Sequence, residues 1–145
     1  MRVKRISLDT NILVYAMDRD AGERHVRAMD VLDQAVGSDC ILTTQALGEF
    51  FHVVTRKNGM PAKDAAEQVH DWMVLFPTVT ASPAALSTAT SLVMEHSFSF
   101  WDALLIATVK EAGVSHLLTE DMQDGRSVLG VWLINPLKNG WRDTG

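Results

Sequence analysis

Short apolar runs separated by pairs of helical patterns organise this chain of 145 residues. The runs lie around Ile6 and Leu8 and over residues 40–43, 77–80, 114–119 and 131–135. Two helical patterns fill each interval between the first four runs, and a loop separates the last two. Strands that alternate with helices pair in parallel through right-handed crossovers. The pattern therefore predicts the α/β class, as a three-layer α/β/α architecture with a central, mainly parallel sheet and a single domain over residues 1–145.

The predicted helices are bounded by residues that start or stop helices. One helix begins at Thr10, the next two cover 23–36 and 45–57, another begins at Pro61, and the last two cover 83–96 and 100–112. Ser82 and Ser99 are typical N-cap residues, and Gly37 and Gly113 follow helix ends. The segment 18–22 is predicted to be a loop.

Asp9 lies where the first strand meets the first helix, after the apolar Leu8 and before Thr10 and Asn11. Short polar residues are favoured at helix starts, so one interpretation is that Asp9 only caps the helix. The other is that Asp9 belongs to a binding site, because ligands of open α/β sheets bind at the carboxyl ends of strands. Both interpretations are open from this stretch alone.

Three further acids occupy corresponding positions in the predicted fold. Glu49 lies about one turn into the helix after the second strand, Asp102 in the first turn of the last helix, and Asp121 after the fourth strand. Carboxylates brought to one sheet edge would raise one another's pKa values by repulsion, and a divalent cation would remove that penalty. Oxygen ligands without a His or Cys cluster favour Mg²⁺ or Mn²⁺. The alternative is four unrelated surface acids.

The composition narrows the kind of partner and the compartment. A net formal charge of −5 argues against a protein coated in positive charge for nucleic acid, unless bound cations neutralise part of it. Cys40 is the only cysteine, so no intramolecular disulfide can form and we expect a reducing cytoplasm. No apolar run reaches membrane-spanning length, and the N-terminus lacks the apolar region of a signal peptide.

A rival enzyme class rests on two Glu-x-x-His pairs, Glu49 with His52 and Glu67 with His70. Two such pairs are typical of di-iron helical bundles, which also need four long helices and two further glutamates. The strand-like runs between short helices argue against a bundle. Trp101 is expected to pack its helix into the core, and stacking on a nucleobase is the alternative.

Four short motifs, taken in order, resemble those of the PIN domain. They are Asp9-Thr10-Asn11, Gln45-Ala46-Leu47-Gly48-Glu49-Phe50, Ser99-Phe100-Trp101-Asp102-Ala103-Leu104 and Leu118-Thr119-Glu120-Asp121-Met122-Gln123-Asp124-Gly125. More narrowly, they resemble the VapC-type toxins of bacterial type II toxin–antitoxin pairs, over nearly the whole chain. The resemblance implies a PIN-like fold and an Mg²⁺- or Mn²⁺-dependent endoribonuclease. The acids it implies as catalytic are Asp9, Glu49, Asp102 and Asp121.

The resemblance also implies roles for individual side chains. Asn11 and Thr119 occupy the positions of polar residues in the same pocket, and Asp124 is an additional acid that some members use. We hypothesise that Glu49 orients or deprotonates the attacking water. The expected metal ligands are Asp9, Asp102 and Asp121.

The partners implied by the resemblance are RNA, a cognate antitoxin that places a basic side chain in the site, and a second copy of the chain. A homodimer could form through an apolar helix face such as that of Val69, Trp72 and Met73. Candidate phosphate contacts are Arg19, Arg24, Arg27, Arg56, Lys57 and Arg126, although for each of them a solvated surface position is the favoured interpretation. The alternatives are a PIN-fold housekeeping nuclease and a non-catalytic acidic-pocket domain that binds a basic peptide.

Overall fold

The computed structural model describes residues 4–138, which contain a sheet of six strands. In chain order the strands are β1 (Ile6–Leu8), β2 (Cys40–Thr43), β3 (Thr78–Val79), β4 (His116–Leu118), β5 (Ser127–Val128) and β6 (Val131–Ile134). Their order across the sheet is β3-β2-β1-β4-β6-β5, and each pair is parallel except β5 with β6. The predicted α/β class with a mainly parallel sheet is confirmed.

Six helices flank the sheet in the same part of the chain. They are α1 (Thr10–Met17), α2 (Glu23–Val36), α3 (Thr44–Arg56), α4 (Ala62–Leu75), α5 (Pro83–His96) and α6 (Phe100–Glu111). The predicted helices are all present with bounds within one residue, whereas the segment predicted as a loop contains a short 3₁₀ turn at Arg19–Ala21. Within residues 4–138, no helix is both long and apolar enough to cross a membrane.

The sheet separates two apolar layers, because neighbouring residues of a strand face opposite sides. Leu42 and Leu118 belong to a buried cluster with residues of α1 to α4. Ile41 and Leu117 belong to a second cluster with residues of α5 and α6. The helices therefore cover both faces of the sheet, which is the predicted three-layer arrangement.

The strand β5 was not predicted, since it is two residues long and shows no alternation. It forms a hairpin with β6 through Leu129 and Gly130, whose φ angles are 54° and 81°. A two-residue hairpin loop with positive φ at both positions is usually marked by Asn-Gly or Asp-Gly. Leucine in that position removes the usual sequence signal, so the hairpin could only be found in the structure.

The face of α4 proposed for a homodimer is used inside the protein. Trp72 is only 4% exposed and packs edge-on against Phe50, with ring centroids 4.7 Å apart. Val69 is partly buried against the same cluster, whereas Met73 is exposed. The prediction that Val69 and Trp72 offer a free dimer surface is therefore wrong, because these side chains complete the core between α3 and α4.

Candidate active site

The carboxyl ends of three adjacent strands bring the predicted acids to one cleft. β2, β1 and β4 are neighbours in the sheet, and the Asp9 amide donates to the Leu118 carbonyl at 2.9 Å. Beyond these strand ends lies a cleft of about 280 Å³. Its lining residues are Asp9, Thr10, Asn11, Val14, Tyr15, Glu49, Val53, Asp102 and Asp121. The four acids singled out in the sequence thus face a common volume.

Asp9 is the buried end of this cleft. It is the N-cap of α1, with φ −76° and ψ 163°, and its side chain accepts a hydrogen bond from the Thr10 amide at 2.7 Å. The other carboxylate oxygen accepts a hydrogen bond from the Thr119 hydroxyl at 2.8 Å. Asp9 therefore caps α1 and also lines the cleft, so its capping role does not exclude the predicted role in a binding site.

The pKa of Asp9 is raised to about 6, chiefly because burial penalises its charged form. The hydrogen bonds from Thr119 and Thr10 act in the opposite direction, and the carboxylates of Asp121 and Asp102 raise the pKa further. Asp9 therefore lies in an environment that a nearby cation would relieve. Clustered carboxylates with raised pKa values are typical of functional sites.

Thr119 connects two of the acids although it does not line the cleft. It is fully buried after β4, where its hydroxyl oxygen also accepts a hydrogen bond from the Asp121 amide at 3.2 Å. One hydroxyl therefore orients the Asp9 carboxylate and positions the backbone that carries Asp121. The polar role expected for Thr119 has a specific geometry here, as a support beneath the cleft.

Asp102 enters the cleft from the first turn of α6. Its amide donates to the Ser99 hydroxyl at 3.2 Å, an arrangement with the spacing of a capping box. Partial burial raises the pKa of Asp102, a hydrogen bond with Ser99 lowers it, and Asp121 raises it. As with Asp9, a residue that begins a helix also contributes a carboxylate to the cleft.

Glu49 is the exposed end of the cleft and is held by two side chains. Gln45 donates from Nε2 to Glu49 Oε1 at 3.0 Å and to the Trp101 carbonyl at 3.0 Å. The Thr10 hydroxyl lies 3.4 Å from Glu49 Oε2 and 3.3 Å from the Ala46 carbonyl. Sequence reasoning missed the role of Gln45, although its i, i+4 spacing to Glu49 is a recognisable helical pair.

Tyr15 and Glu120 were also missed as neighbours of the site. The Tyr15 hydroxyl donates to Glu120 Oε1 at 2.9 Å, and Arg24 Nε donates to Glu120 Oε2 at 2.8 Å. Burial and the Glu120 carboxylate both raise the pKa of Tyr15. Asn11 Oδ1 lies 3.5 Å from the Glu120 amide, while its Nδ2 is buried with no hydrogen-bond partner within residues 4–138.

Asp124 does not line the cleft, so its expected role stays a prediction, whereas the expectation for Trp101 is corrected by the structure. Asp124 lies outside the cleft, where it accepts a hydrogen bond from the Asn135 amide at 2.7 Å and pairs with Lys138 at 3.7 Å. Trp101 does not pack into the core, since 62% of the residue is exposed at the start of α6. It is the second residue of that helix, ahead of the buried stretch that begins at Ala103.

The di-iron alternative does not fit the fold. Glu49 and His52 lie on α3, Glu67 and His70 lie on α4, and all four side chains are exposed. The central sheet replaces the four long helices that such a centre requires. That rival enzyme class is therefore wrong for this chain.

The donor chemistry of the cleft fits a hard divalent cation. Within residues 4–138, no three His, Cys, Asp or Glu side chains are arranged so that together they could hold a metal ion. Mg²⁺ is commonly bound by only one or two carboxylates, with waters completing its shell. Asp9 is a buried carboxylate of this kind, and the carboxylates of Asp102 and Asp121 are near enough to raise its pKa.

Three of the six candidate phosphate-binding cations have partners within the protein. Arg24 pairs with Glu120, and Arg27 pairs with Glu23 at 2.7 Å and donates to the Leu137 carbonyl. Both arginines line a second cleft of about 360 Å³. Glu120 also lines this second cleft, and it accepts a hydrogen bond from Tyr15, which lines the acidic cleft. Arg126 lies over the Phe98 ring, 4.7 Å from its centroid. Within residues 4–138, no arginine lines the acidic cleft.

The PIN domain family model matches residues 6–123 of the chain. The chain therefore belongs to the PIN domain family, which confirms the resemblance seen in its motifs and supports its assignment as a nuclease. No curated protein matches the chain.

Solved structures share the fold at low sequence identity. The toxin VapC20 of Mycobacterium tuberculosis, described as cleaving the sarcin-ricin loop, is 20% identical, with a TM-score of 0.65 over 80% of this chain and 89% of that one. VapBC2 of Rickettsia felis, solved on a DNA fragment from its promoter, is 14% identical, with a TM-score of 0.66 over 89% and 96%. FitAcB of Neisseria gonorrhoeae is 20% identical, with a TM-score of 0.64 over 90% and 97%.

Proposed function

We propose that this chain is an Mg²⁺- or Mn²⁺-dependent endoribonuclease and the toxin of a toxin–antitoxin pair. The observation that carries the proposal is the meeting of Asp9, Glu49, Asp102 and Asp121 in one cleft at the carboxyl edge of the sheet. Membership of the PIN domain family supports the nuclease part. Similarity in fold to VapC20, described as a toxin that cleaves the sarcin-ricin loop, supports RNA as the substrate.

Asp9 and Asp102 are the proposed principal ligands of the cation, directly or through water, and Asp121 is proposed to help hold it. Water-mediated contacts are part of the proposal because the three carboxylates do not form a direct three-ligand set within residues 4–138. Thr10 and Thr119 hold both oxygens of Asp9, so this carboxylate is fixed in orientation before any ligand arrives. When bound, a divalent ion lowers the pKa of a water, orients the phosphate and stabilises charge on the leaving oxygen.

Glu49 is the proposed general base. Gln45 and Thr10 orient its carboxylate, and its exposure leaves it accessible to solvent water. In the proposed step, the water oxygen forms a bond to phosphorus as the bond to the leaving ribose oxygen breaks. The proton of that water passes to the Glu49 carboxylate.

The biological setting we propose includes a cognate antitoxin that inserts a basic side chain into the acidic cleft. Support comes from fold neighbours, which include a toxin–antitoxin complex from Klebsiella pneumoniae that is 18% identical with a TM-score of 0.64. We also propose a homodimer, formed through a surface other than the buried face of Val69 and Trp72. The cytoplasm, where RNA is available, is the proposed site of action.

The test incubates purified, partner-free protein with RNA in Mg²⁺, in Mn²⁺ and in EDTA. We expect cleavage only with the metal ions, and a loss of about 100-fold or more in Asp9→Asn and Asp102→Asn, because each variant weakens the metal site. Asp71→Asn changes an exposed acid on α4, outside the cleft, and should cleave like the wild type. Equal activity of Asp9→Asn and the wild type, or cleavage that persists in EDTA, would contradict the nuclease proposal.

Expression in a host cell tests the toxin part separately. The wild type should arrest growth, and Asp102→Asn should relieve the arrest at equal protein levels. An active nuclease whose expression leaves growth unchanged would point to a housekeeping enzyme. A protein inactive on every RNA that still binds basic peptides would point to the non-catalytic acidic-pocket domain.

A further inference from the structure

The indole of Trp101 lies in solvent immediately before Asp102 in the chain. The residue is 62% exposed, and its ring meets the Phe100 ring edge-on, with centroids 5.0 Å apart and an interplanar angle of 75°. A tryptophan offers a large apolar face whose burial is favourable, and bound nucleobases are among the groups that can cover such a face. Trp101 does not itself line the acidic cleft, whereas the next residue, Asp102, does.

The backbone of Trp101 is tied to the proposed catalytic groups. Its carbonyl accepts a hydrogen bond from Gln45 Nε2 at 3.0 Å, and the same nitrogen donates to Glu49 at 3.0 Å. Ser99 caps the same helix, where its hydroxyl accepts a hydrogen bond from the Asp102 amide at 3.2 Å. These bonds fix the backbone at the start of α6 relative to Glu49, and Glu49 and Asp102 both line the cleft.

We infer that Trp101 is a stacking platform for a nucleobase of the RNA whose phosphate enters the acidic cleft. The inference rests on the proposed function and names a contact that positions its substrate. Trp101 is the chain neighbour of Asp102, and its carbonyl shares the Gln45 side chain with Glu49. The stacked base therefore belongs to a nucleotide near the scissile phosphate.

The negative charge of the cleft explains why an uncharged contact with RNA would be useful. Four carboxylates line the cleft, and the arginines of the second cleft are paired with Glu120, Glu23 and a backbone carbonyl. A polyanion approaching such a site gains little from direct charge attraction before the cation is considered. Stacking on an uncharged ring supplies affinity that is independent of charge and tolerant of base identity.

The experiment uses the full chain and a ten-nucleotide RNA spanning a site that the wild type cleaves. Trp101→Ala should raise KM by about 5- to 150-fold, the range of one base–aromatic stack, and leave kcat within about twofold. Trp101→Phe keeps a ring and should lose much less, whereas Trp101→Leu keeps apolar bulk without a ring and should behave like Trp101→Ala. Trp132→Ala removes an indole that is 46% exposed on β6, and should match the wild type.

Abasic substitution at each position of the same RNA separates stacking from a structural role. In the wild type, removing the base at one position next to the cleaved bond should raise KM by the same factor as Trp101→Ala does. In Trp101→Ala, removing that base should cost nothing further, because the partner of the base is already gone. Circular dichroism melts of the variants verify that the fold is kept.

Several outcomes would overturn the inference. One is an active wild type whose KM is unchanged by Trp101→Ala and Trp101→Leu. Another is a loss in Trp101→Ala that stays the same at every abasic position, which indicates a structural effect. A third is a dimer in sedimentation that Trp101→Ala converts to monomer, which indicates that a second copy covers the ring. Failure of the proposed function gives a different result, because the wild type itself would then cleave no RNA. Failure of the stacking inference leaves an active wild type whose KM does not depend on Trp101.

Discussion

The two ends of the acidic cleft are built in opposite ways. At the inner end, Asp9 is 8% exposed and held by a backbone amide and the buried Thr119 hydroxyl. At the outer end, Glu49 is exposed on a helix, and its partners are the side chains of Gln45 and Thr10. The inner carboxylate is therefore costly to charge, whereas the outer one is open to water. This division suits a ligand for a cation at one end and a base for water at the other.

The largest effect should come from Glu49→Gln at the outer end. Loss of a general base lowers kcat by about 10²- to 10⁴-fold, because the amide cannot accept the proton of the attacking water. The free energy of unfolding should change by no more than about 0.5 kcal/mol, since the side chain is exposed. Steady-state cleavage and urea unfolding measure the two quantities. A Glu49→Gln enzyme that keeps full kcat would remove Glu49 from the proposed chemistry.

The inner end should make the metal-free protein sensitive to pH. The pKa of Asp9 rises from an ordinary 3.8 to about 6 on folding, so folding favours its protonated form. The associated stability is fully present below about pH 4 and is lost as pH rises through about 6. At pH 8 in EDTA, Asp9→Asn should therefore be more stable than the wild type by about 3 kcal/mol, and the difference should shrink towards pH 4.

Urea unfolding at a series of pH values checks this prediction, with Asp71→Asn as the control acid outside the cleft. Mg²⁺ added at pH 8 should raise the stability of the wild type and not that of Asp9→Asn, because the variant lacks the charged ligand. An Asp9→Asn protein less stable than the wild type at pH 8 in EDTA would show that the buried carboxylate carries no penalty.

Thr119→Val tests how the inner end is supported. The substitution leaves Asp9 Oδ2 and the Asp121 amide without the hydroxyl they share, at a cost of about 1–3 kcal/mol in unfolding free energy. Metal affinity should fall by about 10- to 100-fold, as for other groups that orient metal ligands. Isothermal titration with Mn²⁺ measures the affinity, and Thr55→Val, on the exposed side of α3, is the matched control. Unchanged Mn²⁺ affinity would argue that Asp9 orients itself without Thr119.

The smallest effect should come from Gln45→Leu. It removes the two hydrogen bonds that connect Glu49 and Trp101, each of the partly exposed kind that contributes about 0.5–1.5 kcal/mol. The specificity constant kcat/KM should fall by about 5- to 10-fold. Gln68→Leu on α4 should leave it unchanged. A loss in Gln45→Leu as large as in Glu49→Gln would mean that Gln45 itself contacts the reacting atoms.

Much of the fold was predictable because its signals are local. Ser82 and Ser99 cap α5 and α6 as predicted, and apolar spacing placed the helices within one residue. The hairpin at Leu129 and Gly130 was not predictable, because leucine is not a residue that usually marks a turn position with a φ of 54°. The surfaces were misassigned for a related reason, because Trp72 and Trp101 both follow helical patterns and only packing decides which is covered.

By itself, the sequence determined the alternation of strands and helices, the family and the positions of four acids at the ends of predicted elements. Only the tertiary structure decided how those acids differ in burial and in hydrogen-bond partners. Both properties depend on the order β2-β1-β4 in the sheet, which brings together residues that are far apart in the sequence. That order brings Thr119 to Asp9 across 110 positions of the chain and leaves Asp124 outside the cleft. A carboxylate's pKa follows from its solvation and neighbours, and these exist only once the chain has folded.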